Sequence, residues 1–248
     1  MTIALETRNL SKHFGGFTAT NQVSLTIGQG ARHALIGPNG AGKTTLINLL
    51  TGAFPASSGE IYLLGENVTT RPAWQRVQKG LARTFQINRL FAGFTPRRSL
   101  MLAVAERYKH GWRFWRALES DKLVVQETEQ LLQQIGLTDV ADELVSRLPY
   151  GKQRLLEIGL ALALKPRVLL LDEPAAGVPE EERHEVLTLV KTLPEDVTIV
   201  LIEHDMELVF SFADRISVLV QGELFLEGTP QEITASAQVR AIYLGEDG

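Results

Sequence analysis

Gly37-Pro38-Asn39-Gly40-Ala41-Gly42-Lys43-Thr44 follows the strand-like run Arg32–Ile36 and precedes Leu46, Ile47, Leu49 and Leu50, so this stretch reads as strand, loop, then helix. It matches the pattern G-x-x-x-x-G-K-S/T of phosphate-binding loops. Glycines let successive backbone N–H groups turn inward around phosphate oxygens, and the helix that follows adds the positive end of its dipole. Lys43 is placed to reach the β- and γ-phosphates, and the Thr44 hydroxyl to ligate Mg²⁺. Gly-Lys-Thr also occurs in ordinary loops, but the strand before it and the helix after it are the context the motif requires.

Downstream, Val168-Leu169-Leu170-Leu171-Asp172-Glu173 delivers an acidic pair at the end of an apolar strand. Asp172 suits a Mg²⁺ held beside phosphates, and Glu173 suits the orientation or deprotonation of an attacking water. Read alone, the pair could equally be a strand running into a surface turn at Pro174. Val197–Ile202 and Ile216–Val220 are further β-rich runs, with helical character between Pro179 and Leu193. Buried strands alternating with helices predict an α/β sheet. Residues 3–36 read as short strands broken by glycines, including the alternating run Val23–Ile27, followed by a further strand at Glu60–Leu64. The tail from Pro230 reads as two short helices.

The segment from about Asn88 to Lys165 differs from the rest. Val124, Val125, Thr128, Leu131, Leu132 and Ile135 recur at helical spacing. Arg107, Tyr108, Trp112, Arg113, Phe114, Trp115 and Arg116 form a basic-aromatic patch, for which packing is the simpler reading than ligand stacking. The expected architecture is therefore a phosphate-loop core at 1–87 and 165–248, with a mixed, mainly parallel sheet and an antiparallel β subdomain. A helical subdomain at 88–164 is inserted into it.

The bulk composition excludes several classes. The 248 residues carry 25 basic and 29 acidic side chains, a net charge of −4, which gives no basic excess for nucleic acid. Cysteine is absent, so disulfides, thiolate catalysis and cysteine metal sites are excluded. Met1–Leu10 lacks the apolar run of a signal peptide. No stretch reaches the roughly 18 apolar residues of a membrane helix, so a membrane role would come through partner subunits.

The ordered motifs resemble those of the cassette ATPases of ABC transporters along nearly the whole chain. Arg83-Thr84-Phe85-Gln86 resembles the glutamine loop, in which Gln86 would contact Mg²⁺ and water and report to the membrane subunit. Leu148-Pro149-Tyr150-Gly151-Lys152-Gln153-Arg154 occupies the place of the signature motif, and Ile202-Glu203-His204-Asp205 that of the switch histidine, with His204 reaching the γ-phosphate. Phe14 matches the aromatic that stacks on adenine, with Phe17 as an alternative. Singly, Gln86 reads as a polar strand end, His204 as a structural histidine and Phe14 as core; order and spacing lift them above those readings. The resemblance implies ATP and Mg²⁺ as cofactors and a nucleotide-binding set of Phe14, Gly37, Pro38, Asn39, Gly40, Ala41, Gly42, Lys43, Thr44 and Thr45. It implies Thr44, Gln86 and Asp172 at the metal, and Glu173, His204 and Gln86 in catalysis. Pro149, Tyr150, Gly151 and Lys152 would face a nucleotide held by a second cassette in a head-to-tail dimer, either a second copy or a relative.

Two departures fall on that partner-facing surface. Pro149 stands where the family usually has serine, removing a hydroxyl and a backbone donor. Pro179 stands where many cassettes have aspartate. We expect a weakened trans half, with the Tyr150 and Gly151 amides as what remains. Arg83–Phe91, Pro174-Ala175-Ala176-Gly177-Val178, Ile202-Glu203-His204-Asp205-Met206 and Tyr150 are similar to branched-chain amino acid-type importers. Pro96-Arg97-Arg98-Ser99 departs from that pattern near the expected coupling surface. The resemblance implies transmembrane permease subunits, a solute-binding protein acting through them, and a place on the cytoplasmic face of the membrane. Amino acids, amides, urea and small carboxylates stay open as solutes. A lipid or polysaccharide exporter, a soluble ABC ATPase of translation or DNA repair, and a small-molecule kinase are the alternatives. The insertion, the single unfused cassette and the signature segment respectively disfavour these three.

Overall fold

The computed structural model describes residues 2–84, 90–108 and 119–244. Gln86 and the run Trp112–Arg116 lie outside them. By compactness the chain divides into two units, one of Met1–Arg83, Arg167–Glu173 and Pro194–Gly248, the other of Thr84–Pro166 and Pro174–Leu193.

The first unit holds two sheets. β1 (Ile3–Phe14) and β2 (Phe17–Gly28) are strands of 12 residues each, joined at Gly15-Gly16. They replace the short, glycine-broken strands expected from the sequence, because the glycines fall at the hairpin turn and not inside the runs. With β4 (Ser58–Leu63) and β5 (Glu66–Asn67) they form an antiparallel sheet in the order β2-β1-β4-β5. The second sheet, β10-β9-β3-β8-β7-β6, comprises β3 (Arg32–Ile36), β6 (Leu81–Arg83), β7 (Val168–Asp172), β8 (Thr198–Ile202), β9 (Arg215–Val220) and β10 (Glu223–Gly228). Only β10 runs antiparallel to its neighbour. Every residue of β7 and β8 is buried, the pattern of parallel strands covered on both faces.

Parallel register brings the carboxyl ends together: Leu35 of β3 and Asp172 of β7 both pair with Ile202 of β8. Ligand sites in open α/β sheets form beyond such ends. α1 (Lys43–Thr51) leaves the end of β3 and packs Leu46, Ile47, Leu49 and Leu50 into a core shared with Leu5, Leu10, Val168, Leu170 and Val200. Its far end is held by Arg76, from α2 (Ala73–Gln78). The Arg76 guanidinium is 2% exposed and donates to the carbonyls of Leu49 at 2.6 Å and Leu50 at 2.7 Å. The negative end of a helix dipole suits this buried cation. α7 (Met206–Phe212), α8 (Pro230–Ala235) and α9 (Ala237–Leu244) complete the unit.

His33, buried on β3, lies 2.8 Å through Nε2 from Ser217 Oγ on β9, and that hydroxyl donates to Glu227 on β10. The Ser217 proton is committed to the carboxylate, so Nε2–H must donate to Ser217. Burial pushes the imidazole down to about 4, against the pull of Glu227. Above its ordinary value of 6.5, His33 is neutral whether the chain is folded or not. As pH falls from 6.5 toward 4, only the unfolded chain takes up the proton, so stability drops. The loss is on the order of 3 kcal/mol. His33→Asn, which keeps a donor but cannot titrate, is expected to flatten the fall in urea midpoint between pH 7 and pH 4.5. Parallel pH profiles for parent and variant would contradict this.

The second unit contains α3 (Pro96–Arg107), α4 (Lys122–Gln134), a 3-10 turn at Val145–Arg147, α5 (Tyr150–Ala163) and α6 (Glu180–Lys191). Thr95 and Asp121 cap α3 and α4 in the usual side-chain manner. Glu127 of α4 gathers Arg107 at 2.5 Å and Lys165 at 3.0 Å, while Arg107 also donates to Ala163 O at 2.6 Å. Burial alone would raise the Glu127 carboxyl, but hydrogen bonds from Arg107, Lys165 and Tyr108 hold it at about 2. Pro174–Leu193, which the sequence reading grouped with the core, cluster here because α6 packs on α5. Among the described residues no helix is long and apolar enough to cross a membrane.

Candidate active site

The loop after β3 is shaped by close approaches at its glycines. A Cβ on Gly37 would lie 2.2 Å from Leu219 O, and one on Gly42, at φ +96°, would lie 2.4 Å from Ala19 O. Ala41 O accepts from Gly222 N at 2.9 Å, so the turn between β9 and β10 braces the loop from behind. Gly42 stands at the amino end of α1, with no side-chain cap and no acidic residue in the first turn. No acidic residue of its own first turn compensates the dipole at the Lys43, Thr44 and Thr45 end of that helix.

Lys43 folds back over the loop, donating from Nζ to Gly37 O at 2.5 Å and Pro38 O at 3.0 Å. Burial lowers its pKa, opposed by the Glu173 and Asp172 carboxylates. An ammonium held by carbonyls of its own loop, in the field of two carboxylates, can transfer its hydrogen bonds to phosphate oxygens.

Asp172 ends β7 and is 4% exposed; its Oδ2 accepts from Arg83 Nη2 at 2.7 Å. Arg83 Nη1 donates to Asn48 Oδ1 at 2.7 Å, tying β6, α1 and β7 together behind the acidic end. Glu173 takes a left-handed backbone, φ +46°, with its N–H on Ile202 O at 2.9 Å. For a non-glycine residue this conformation costs on the order of 1 kcal/mol. Its carboxylate Oε1 lies 3.7 Å from His204 Nδ1, too far for a hydrogen bond but within electrostatic reach. The His204 side chain is 68% exposed, above the buried Glu203. Burial raises the Glu203 carboxyl, and backbone N–H groups of His204 and Asp205 draw it back down.

Phe14, at the tip of the β1–β2 hairpin, is half exposed and meets Phe54 edge-on at 5.7 Å, with Lys12 Nζ 5.1 Å from its ring centre. Phe17 is more exposed, at 65%. The structure thus gathers Lys43, Asp172, Glu173 and His204 at one sheet edge, while Gln86 lies outside the described residues. Thr44 and Asp172 are hard oxygen donors of the kind Mg²⁺ takes, and they fit it.

In the second unit, Pro149 is the N-cap of α5 and Pro179 that of α6. The Gly151 N–H donates to Glu182 Oε2 at 2.5 Å, Lys152 Nζ pairs with Glu185 at 3.2 Å, and Arg154 Nε donates to Pro174 O at 2.9 Å. Arg83 and Glu203 stood inside motifs read from the sequence but were given no role there, and Asn48 and Glu182 were not singled out. Asn48, four residues after Thr44 on α1, had a faint local signal; Glu182 had none.

A family model described as ABC transporter matches residues 20–176. The chain is 38% identical to a high-affinity branched-chain amino acid transport ATP-binding protein, BraF of Pseudomonas aeruginosa, over 98% of each chain. It is 39% identical to the corresponding protein LivG of Escherichia coli (strain K12), again over 98% of each. The ADP conformation of an ATP-binding cassette of an ABC transporter superposes with TM-score 0.83 at 30% identity, covering 99% of this chain and 100% of that one.

Proposed function

This chain belongs to the ABC transporter family, as its ATP-binding, ATP-hydrolysing cassette, and on that premise we propose that it energises an importer of branched-chain amino acids. One observation carries the solute class: the match to BraF and LivG runs over 98% of both chains and is not confined to the ATPase motifs. The transporter then comprises permease subunits, this chain with a second cassette, and a solute-binding protein that delivers the amino acid. The chain sits peripherally on the cytoplasmic face, held by the permeases.

In this reading Phe14 stacks on adenine while the amides of Gly40, Ala41, Gly42, Lys43, Thr44 and Thr45 surround the phosphates, with Gly37, Pro38 and Asn39 forming the wall of the loop. Lys43 releases the Gly37 and Pro38 carbonyls and binds the β- and γ-phosphate oxygens. Thr44, Asp172 and Gln86 would hold Mg²⁺, which would neutralise phosphate charge. Arg83 keeps the Asp172 carboxylate oriented. Glu173 accepts the proton of the attacking water as its oxygen bonds to the γ-phosphorus and the bond to the bridging oxygen breaks, releasing ADP and phosphate. His204 donates to the γ-phosphate and aligns Glu173. From the second cassette, residues equivalent to Pro149, Tyr150, Gly151 and Lys152 close over the same phosphate.

Reconstitution tests this. The chain, assembled in proteoliposomes with the permease subunits and solute-binding protein of its transporter, is expected to drive ATP-dependent uptake of leucine, isoleucine or valine. ATP hydrolysis stimulated by a different solute, with no uptake of these three, would overturn the solute class. In the same assembly Pro149→Ser restores a hydroxyl and an N–H at the signature. A regained charge-assisted hydrogen bond corresponds to roughly tenfold in turnover. An unchanged rate would show that Pro149 does not limit closure.

A further inference from the structure

The signature segment is already occupied from within its own chain. Gly151 is buried because the Glu182 side chain lies over it. A Cβ at position 151 would stand 2.7 Å from both Cβ and Oε2 of Glu182, so only glycine permits this approach. α5 has no side-chain cap at Pro149 and no acidic residue in its own first turn, and the Glu182 carboxylate lies at its amino end. Glu182 belongs to the first turn of α6 beside Glu180 and Glu181, with its N–H on Pro179 O at 3.0 Å.

We propose that Glu182 is a built-in competitor for the γ-phosphate, holding the Gly151 amide until a partner-bound ATP displaces it. The inference rests on the reading of Pro149–Lys152 as partner-facing. One N–H serves one anion well, and a carboxylate beside an incoming phosphate repels it. Pairing of cassettes therefore requires the Glu182 side chain to swing off Gly151, and the chain's affinity for a partner's ATP is set partly by how firmly that carboxylate is held. Lys152–Glu185 joins α5 to α6 independently, and Arg154 ties α5 to Pro174 in the loop that leads to α6, so the two helices stay packed when Glu182 leaves.

The test uses the full chain carrying Glu173→Gln, so that ATP is bound and not consumed, with self-association followed by sedimentation at increasing Mg-ATP. Adding Glu182→Ala is expected to lower the ATP concentration for half-maximal pairing about tenfold. Glu182→Gln, which keeps an acceptor oxygen but loses the charge, is expected to fall between. Thermal melting without nucleotide reports the fold separately. If Glu182 only caps α5, both substitutions leave pairing unchanged or weaken it while lowering the melting temperature, and the proposal is overturned. Pairing in the variant where the parent shows none would support it. Absence of ATP-dependent pairing in parent and both variants, by themselves and with the transporter's second cassette added, would instead remove the partner-facing reading, and the proposal with it.

Discussion

Lys43→Ala should lower ATP hydrolysis at least ~100-fold, because it removes the one ammonium the phosphate loop offers and with it two or more charge-assisted hydrogen bonds of roughly 1.5–3 kcal/mol each. The fold should survive. Lys43 lies outside the buried core, and its Nζ bonds the loop carbonyls of Gly37 and Pro38, which solvent can serve once the side chain is gone. Binding of a fluorescent ATP analogue and steady-state hydrolysis, with circular dichroism as the control for folding, measure this directly. Hydrolysis within tenfold of the parent would mean that the loop amides and the dipole of α1 neutralise the phosphates without Lys43.

Glu173→Gln separates binding from chemistry. The amide keeps the size of the side chain and cannot accept a proton from water, so hydrolysis should fall by about 10²–10⁴-fold. ATP affinity should hold or improve, because one negative charge near the γ-phosphate is gone. The trapped nucleotide should then favour paired cassettes, visible as an ATP-dependent shift in sedimentation that the parent does not sustain. Equal hydrolysis by parent and variant would move the base elsewhere, with the buried Glu203 as the neighbouring carboxylate to examine.

The parts legible in the sequence are those whose signals are local. The phosphate loop lies in a single stretch, and Val168–Leu171 and Ile199–Ile202 are the short apolar runs of strands covered on both faces. Lys43, Asp172 and Glu173 can be anticipated together because they stand where a strand ends or the helix after the phosphate loop begins, and His204 joins them through the family resemblance. The length of β1 and β2 was hidden, since glycines at a hairpin turn look the same in sequence as glycines that end strands. The insertion of β3 between β8 and β9 is a pairing across more than 160 residues, and no local pattern encodes it. Glu182 was illegible for the same reason. It lies 31 residues from Gly151, in an acidic helix start that reads by itself as ordinary dipole compensation. The sequence reading kept the Gly151 amide for a partner's phosphate; in the structure that amide is already bonded.

The brace behind the phosphate loop governs how the nucleotide is received. Gly222 fastens Ala41, Leu219 and Ala19 press on the glycines, and Lys43 already has oxygen partners inside the loop. Arrival of ATP therefore exchanges carbonyl oxygens for phosphate oxygens around a backbone that keeps its shape. The conformational entropy of that backbone is lost once, as the chain folds, and not again in each transport cycle.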